Sequence, residues 1–154
     1  MGTTTNPPSP RPFSIKLIAV CYALMAVTEM FNLSKETSGL GGPVSGVWAI
    51  FAHLVSAFLL SYLGFGLWRL WGMARLAALG HQLYLLLSGV LLALNPLYKI
   101  QWAHWLIQEG RDPSAAMMLV DIALILGGIA SATIGWFLIK HRKAFTDTKL
   151  NVLL

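Results

Sequence analysis

The chain has 154 residues, 56 % hydrophobic and 11 % charged, with a formal charge of +5. An ordinary soluble domain carries about a quarter charged residues, so composition excludes a water-soluble globule. The basic residues flank apolar runs instead of forming a nucleic-acid-binding face, and the one cysteine, Cys21, excludes an intramolecular disulfide and a Cys-based metal spacing.

Four apolar runs, at 14–31, 44–67, 72–94 and 115–139, each approach the ~20 residues that a helix needs to cross a hydrocarbon core. The reading is an all-α integral membrane four-helix bundle, with lipid as its solvent. It divides into a flexible cytoplasmic tail at 1–13, a transmembrane domain at 14–143 and a cytoplasmic tail at 144–154. The first twelve residues, MGTTTNPPSPRP, are too rich in Pro and Thr to build a core. The first span ends in Thr28-Glu29-Met30-Phe31-Asn32 with no small-residue cleavage site, so it reads as an uncleaved anchor. Arg11, Lys16, Arg69, Arg75, Lys140, Arg142 and Lys143 gather on one side of the spans, against Lys35, Lys99 and Arg111 on the other. By the positive-inside rule both termini are cytoplasmic.

An external Gly-, Ser- and Pro-rich turn, NLSKETSGLGGPVSG, leads into the second span, and a very short cytoplasmic turn, Arg69 to Arg75, joins the second to the third. A turn that short makes those two helices antiparallel neighbours. Trp68 and Trp71 beside the two arginines form an interfacial anchor. The third span stops at Asn95-Pro96, because proline disfavours helical geometry in the residue before it. The segment that follows, Leu97 to Gln108, is too short to span. Its Tyr98, Trp102 and Trp105, with Ile100, Ala103, Leu106 and Ile107 for an apolar face, predict a short amphipathic interfacial helix between helices three and four. Asp112-Pro113-Ser114 then opens the last span as cap and first turn. In that span Ala123, Gly127, Ser131 and Gly135 recur every fourth residue, a ridge of small side chains that suits close helix packing in lipid.

Ionisable side chains inside a span are costly and mark functional candidates. Glu29, His53 and Asp121 are at similar depth in the outer half and can meet there, where a carboxylate–imidazole pair can carry a proton, bind a cation or hold an external substrate group. The plainer alternative is two hydrated carboxylates and one structural hydrogen bond from His53. No H-x-x-x-H or E-x-x-H spacing supports a metal site. His81 and His53 invite a shared haem, but counted from Trp71 they lie about 10 and 18 residues along neighbouring helices, an offset of ~12 Å. One iron cannot bridge that. A single histidine holding chlorophyll or haem stays open, and so does a His81 hydrogen-bonded to Tyr62 or Ser61.

The stretch Gly64-Phe-Gly-Leu-Trp-Arg-Leu-Trp-Gly-Met-Ala-Arg-Leu-Ala-Ala-Leu-Gly80 resembles a segment of small bacterial four-span proteins of unknown function. In those a Gly-Leu-rich turn ends one helix and a Trp/Ala/Arg element opens the next. Trp71, Ala74 and Arg75 fill those roles here, with Gly72 and Met73 between them. The resemblance covers the middle two helices and implies a bacterial inner-membrane bundle without implying an activity. No phosphate loop, G-x-S-x-G or HExxH is present. The expected function is therefore non-enzymatic: an accessory or scaffolding subunit of a larger membrane complex, without cofactor. Its partners would be the bilayer and other membrane subunits or a second copy, not nucleic acid. The alternatives are a small oligomeric carrier or channel using Glu29, His53 and Asp121, and a pigment- or haem-holding subunit using His81 or His53.

Overall fold

A computed structural model describes residues 12–39, 42–108 and 110–145, with the side chains at 38, 39, 42, 43, 96, 98, 101, 102, 105 and 108 left out. Most of the expected tails, and the expected headgroup anchors Tyr98, Trp102 and Trp105, lie outside the described residues and side chains. The elements are α1 (Phe13–Phe31), β1 (Thr37–Gly39), β2 (Gly42–Val44), α2 (Gly46–Trp68), α3 (Gly72–Leu94), α4 (Pro96–Gln108) and α5 (Pro113–Lys140), then a 3-10 turn at Arg142–Ala144. Apart from one small antiparallel hairpin, with Thr37 opposite Val44, the described residues are all-α. Four helices (α1, α2, α3 and α5) are long and apolar enough to cross a membrane, which makes this a multi-pass membrane protein by length and composition. Their lipid-type surface shows in exposed rows such as Leu17, Val20, Leu24 and Val27 on α1 and Ile122, Ile125, Leu126 and Ile129 on α5.

Helix ends follow local chemistry. Pro12, with φ −57°, leads into α1, and its carbonyl accepts from Ile15 N–H at 3.1 Å. Asn95 takes an extended backbone before Pro96, and its Oδ1 accepts from Leu97 N–H at 3.1 Å, so one residue ends α3 and caps α4. Gly110, at φ +88°, ends α4 in a Schellman motif, with Gly110 N–H donating to Ile107 O and Arg111 N–H to Leu106 O. The same motif ends α2, with Leu70 N–H donating to Leu67 O and Trp71 N–H to Gly66 O. There the left-handed residue is Leu70 (φ +60°), a conformation that costs a branched side chain about 1 kcal/mol or more.

Asp112 caps α5, accepting from Ser114 N–H at 3.0 Å, from Ala115 N–H at 3.1 Å and from the Ser114 hydroxyl. The Ser114 hydroxyl foremost, and the Ala115 amide next, hold its carboxyl below the usual carboxylate range. A lowered folded pKa means that the stabilisation is present above the unfolded value and is lost as pH falls through the folded one. The cap is therefore complete at neutral pH and opens only on strong acidification. Asp112→Ala should accelerate amide exchange at Ser114 and Ala115 at neutral pH, while Asp112→Ser retains much of the protection. Equal exchange rates in the alanine variant and the parent would show that the carboxylate does not cap.

Packing is uneven. The most extensive helix contacts are α1 with α2 and α3 with α5, and the turn at Leu70 joins the two pairs. One core cluster draws on every span at the end where α1 starts and α5 ends, with Ile15, Ile18, Leu63, Leu67, Ala78 and Leu138 among its members. Phe145, beyond the last helix, is 0 % exposed and belongs to it. At the other end α4 folds back along the first turns of α5, where Ala103, Ala116 and Val120 form a second, smaller cluster with Leu106 and Ile107. Of the apolar face expected on this helix, Ile100 is left exposed.

Glycine sets the two closest approaches. A Cβ on Gly64 would sit 3.1 Å from Ala19 O and 3.2 Å from Ala23 N, so its absence lets α1 and α2 nearly touch backbones. A Cβ on Gly66 would lie 2.3 Å from Ala74 Cβ, at the start of α3. Close small-residue packing is thus observed on α2. Of the α5 ridge, Ser131 is buried and Gly135 half-buried, but Ala123 and Gly127 are exposed. A Cβ added to Gly127, Gly128 or Gly135 would meet no atom within 4 Å.

Candidate functional site

Among the described residues, two polar side-chain contacts tie α1 to neighbouring helices, at different levels. The first is near the hairpin end. Glu29 is in the last turn of α1 and His53 in the second turn of α2, and the antiparallel α1–α2 pair brings them together. His53 Nδ1 lies 2.6 Å from Glu29 Oε2, and Nε2 lies 3.3 Å from the carbonyl oxygen of Lys35. Both partners are oxygens, so the ring donates to both at once when each nitrogen carries a proton, as an imidazolium against a carboxylate. The His53 side chain is 7 % exposed and that of Glu29 31 %, so the carboxylate is the side of the pair that water reaches. Chemically the pair can hold a proton between two helices, and it ties the start of the hairpin loop to both.

Asp121 does not join this pair. It forms an ion pair with Lys99 on α4, and its side chain is half exposed. The reason is the helix order: α5 packs on α3 and α4, and it touches α1 only slightly. Equal depth brought Glu29 and His53 together because their helices are neighbours, and it did nothing for Asp121. Among the described residues no group of three His, Cys, Asp or Glu side chains is placed to hold a metal ion.

The second contact lies mid-span. Gln82 Nε2–H donates to the Tyr22 hydroxyl at 2.6 Å, and that hydroxyl is 3.2 Å from His81 Nδ1. The direction of the Tyr22–His81 contact follows the His81 tautomer: Tyr22 O–H donates to a bare Nδ1, and a protonated Nδ1 donates to the hydroxyl oxygen. Tyr22 is 2 % and Gln82 4 % exposed, and Gln82 Oε1 is buried without a hydrogen-bond partner. His81 is therefore anchored to α1, not to Tyr62 or Ser61 on α2 as expected. Tyr22 and Gln82 were not among the sequence candidates. Their signal was present, as a hydroxyl in the middle of one apolar run and an amide in the middle of another.

The two contacts also measure the level of the histidines. His81 meets α1 at Tyr22 and His53 meets it at Glu29, seven residues further along. At 1.5 Å per residue that separates them by ~10 Å along the bundle, too far for both to ligate one iron. Of the remaining histidines, His104 is exposed, and His141 stacks on Phe137 with the rings 4° from parallel. No known protein family, no curated protein and no solved structure matches this chain.

Proposed function

We propose that this chain is a non-enzymatic accessory or scaffolding subunit of a larger bacterial membrane complex, seated in the inner membrane with both termini cytoplasmic. One observation carries the reading: α5, the longest span, presents Gly127 and Gly128 to open space, with no atom within 4 Å of a would-be Cβ. In lipid, apolar burial gives helices no reason to associate, so a face that allows backbone approach is a chief means of recruiting another helix. The charge distribution supports the orientation. At 28 residues α5 is ~42 Å long, more than the ~30 Å hydrocarbon core requires. Its surplus first turns then stand with α4 at the outer headgroup level, which is the interfacial place proposed for α4.

The test is purification from native membranes in mild detergent. Wild type should migrate with additional subunits, and Gly127→Leu or Gly128→Leu should release them while the bundle stays folded, because both sites have room for the side chain. A colourless monomer from wild-type membranes would sink the subunit reading.

A second reading has its own support. A small carrier or channel would use the Glu29–His53 contact, without Asp121, which Lys99 already engages. The pigment- or haem-holding alternative draws less support. Both His53 nitrogens have oxygen partners, and His81 is already tied to the Tyr22 hydroxyl through Nδ1, which leaves only its Nε2 for a ligand.

A further inference from the structure

The end of the bundle where α1 starts and α5 ends is a cationic rim, without a counter-charge among the described residues. Lys16, Arg69, Arg75, Lys140, Arg142 and Lys143 are there, and no carboxylate is at that end among the described residues. The two ion pairs among the described residues, Glu29 with His53 and Lys99 with Asp121, are both at the opposite end. Aromatic rings hold the cations instead. Arg69 lies 5.4 Å from the Phe65 ring centre, Lys140 4.6 Å from Trp136 and Arg75 5.9 Å from Phe145. Such contacts position a cation over a ring face while leaving most of its hydrogen-bond donors unused.

One part of the rim involves Phe145. This residue is fully buried, and the turn before it, closed by Ala144 N–H to His141 O at 2.9 Å, carries Arg142 and Lys143. Arg75 reaches the same ring from the first turn of α3. It makes no ion pair among the described residues, and its Nε–H is buried without an acceptor. Arg142 and Lys143 are exposed. Arg75 thus meets the buried ring of Phe145, and Arg142 and Lys143 precede that residue by three and two positions in the same turn.

We propose that Arg75, Arg142 and Lys143 form a binding site for the phosphate of an anionic phospholipid headgroup. In a membrane this end of the spans lies at headgroup depth, where lipid phosphate is the abundant anion and each Lys or Arg adds attraction. A planar guanidinium suits a phosphodiester oxygen pair. The carbon chains of such a lipid lie along the apolar faces of the spans, which a free anion could not use. The inference rests on the chain being embedded in a membrane, and on neither the accessory role nor the orientation.

The test is native mass spectrometry of the full chain released from nanodiscs of equal phosphatidylglycerol and phosphatidylcholine. Wild type should retain phosphatidylglycerol preferentially. The Arg142→Gln/Lys143→Gln variant alters only exposed side chains and should reduce that preference about fivefold per charge removed. Arg75→Gln should reduce it at least as much. Equal retention of the two lipids by wild type, or an unchanged preference in the double variant, overturns the site. Displacement of bound phosphatidylglycerol by equimolar inorganic phosphate would reveal a free-anion site and overturns the lipid assignment. Alkaline carbonate washing of the membranes separates the two levels: a chain extracted by it was never embedded, whereas one that resists it and shows no lipid preference defeats this inference alone.

Discussion

Gly66→Ala destabilises the bundle by about 1–3 kcal/mol, and Ala74→Gly in the same chain restores most of the loss. In an exposed helix the first substitution would be favourable, since alanine outranks glycine by about 1 kcal/mol in helix propensity. Its sign is reversed by geometry. The new Cβ would lie 2.3 Å from Ala74 Cβ, well inside van der Waals contact, and Ala74 is fully buried. Neither helix can easily retreat, because the turn between them is short and its N–H groups are all hydrogen-bonded back to α2. Trp71 N–H reaches Gly66 O at 2.8 Å, Leu70 N–H reaches Leu67 O at 3.0 Å, and Leu70 already occupies a left-handed backbone.

Ala74→Gly alone should cost about 1 kcal/mol through propensity. The double variant should be more stable than Gly66→Ala, since the residual contact, with Trp71 Cε3 at 3.3 Å, is with a side chain that can shift. Reversible unfolding in mixed micelles of dodecyl sulfate measures all four corners of the cycle. Strictly additive costs would mean that the two residues do not touch, and that the α2–α3 turn is wider than described.

The bundle's one-dimensional features could be read before its neighbours could. The expected span ends fall within about two residues of the observed ones, because hydropathy runs, Pro12, Asn95-Pro96 and Asp112-Pro113 are local signals. Depth was legible too, since helical rise converts residue count to level, and Glu29 and His53 do lie in contact. Lateral order was not. Where the solvent is lipid, an inward face is no more apolar than an outward one, so no stripe reports which helix stands beside which. That is why Asp121 was grouped with Glu29 when its partner is Lys99, and why His81 was assigned to α2 when its partner is Tyr22 on α1. The small-residue ridge on α5 drew attention by its repeat, yet the closest backbone approach is at Gly64, which has no repeat to advertise it. Phe145 gave no warning at all, being a lone aromatic after the last span with no pattern around it.

The Glu29–His53 contact should dominate the energetics of the hairpin end. Either single removal, Glu29→Leu or His53→Leu, is expected to cost about 1.5–3 kcal/mol, the range for a hydrogen bond to a charged group whose partner is left buried. His53 is the more severely stranded partner, because its side chain is 7 % exposed against 31 % for Glu29. The double leucine variant should lose less than the sum of the two, since replacing both members with apolar side chains leaves no orphaned charge. His53→Leu should also free the Lys35 carbonyl and speed amide exchange from Lys35 through the hairpin, whereas Glu29→Leu leaves that bond in place. This asymmetry distinguishes a bridging histidine from a simple ion pair, and equal exchange in the two variants would count against the bridge. Function divides along the same line. In reconstituted vesicles a carrier that moves protons through the pair should lose measurable flux in Glu29→Gln while the fold is kept, because the amide fills the same space. A wild-type flux that survives Glu29→Gln unchanged would leave the contact a purely structural clasp between α1 and α2.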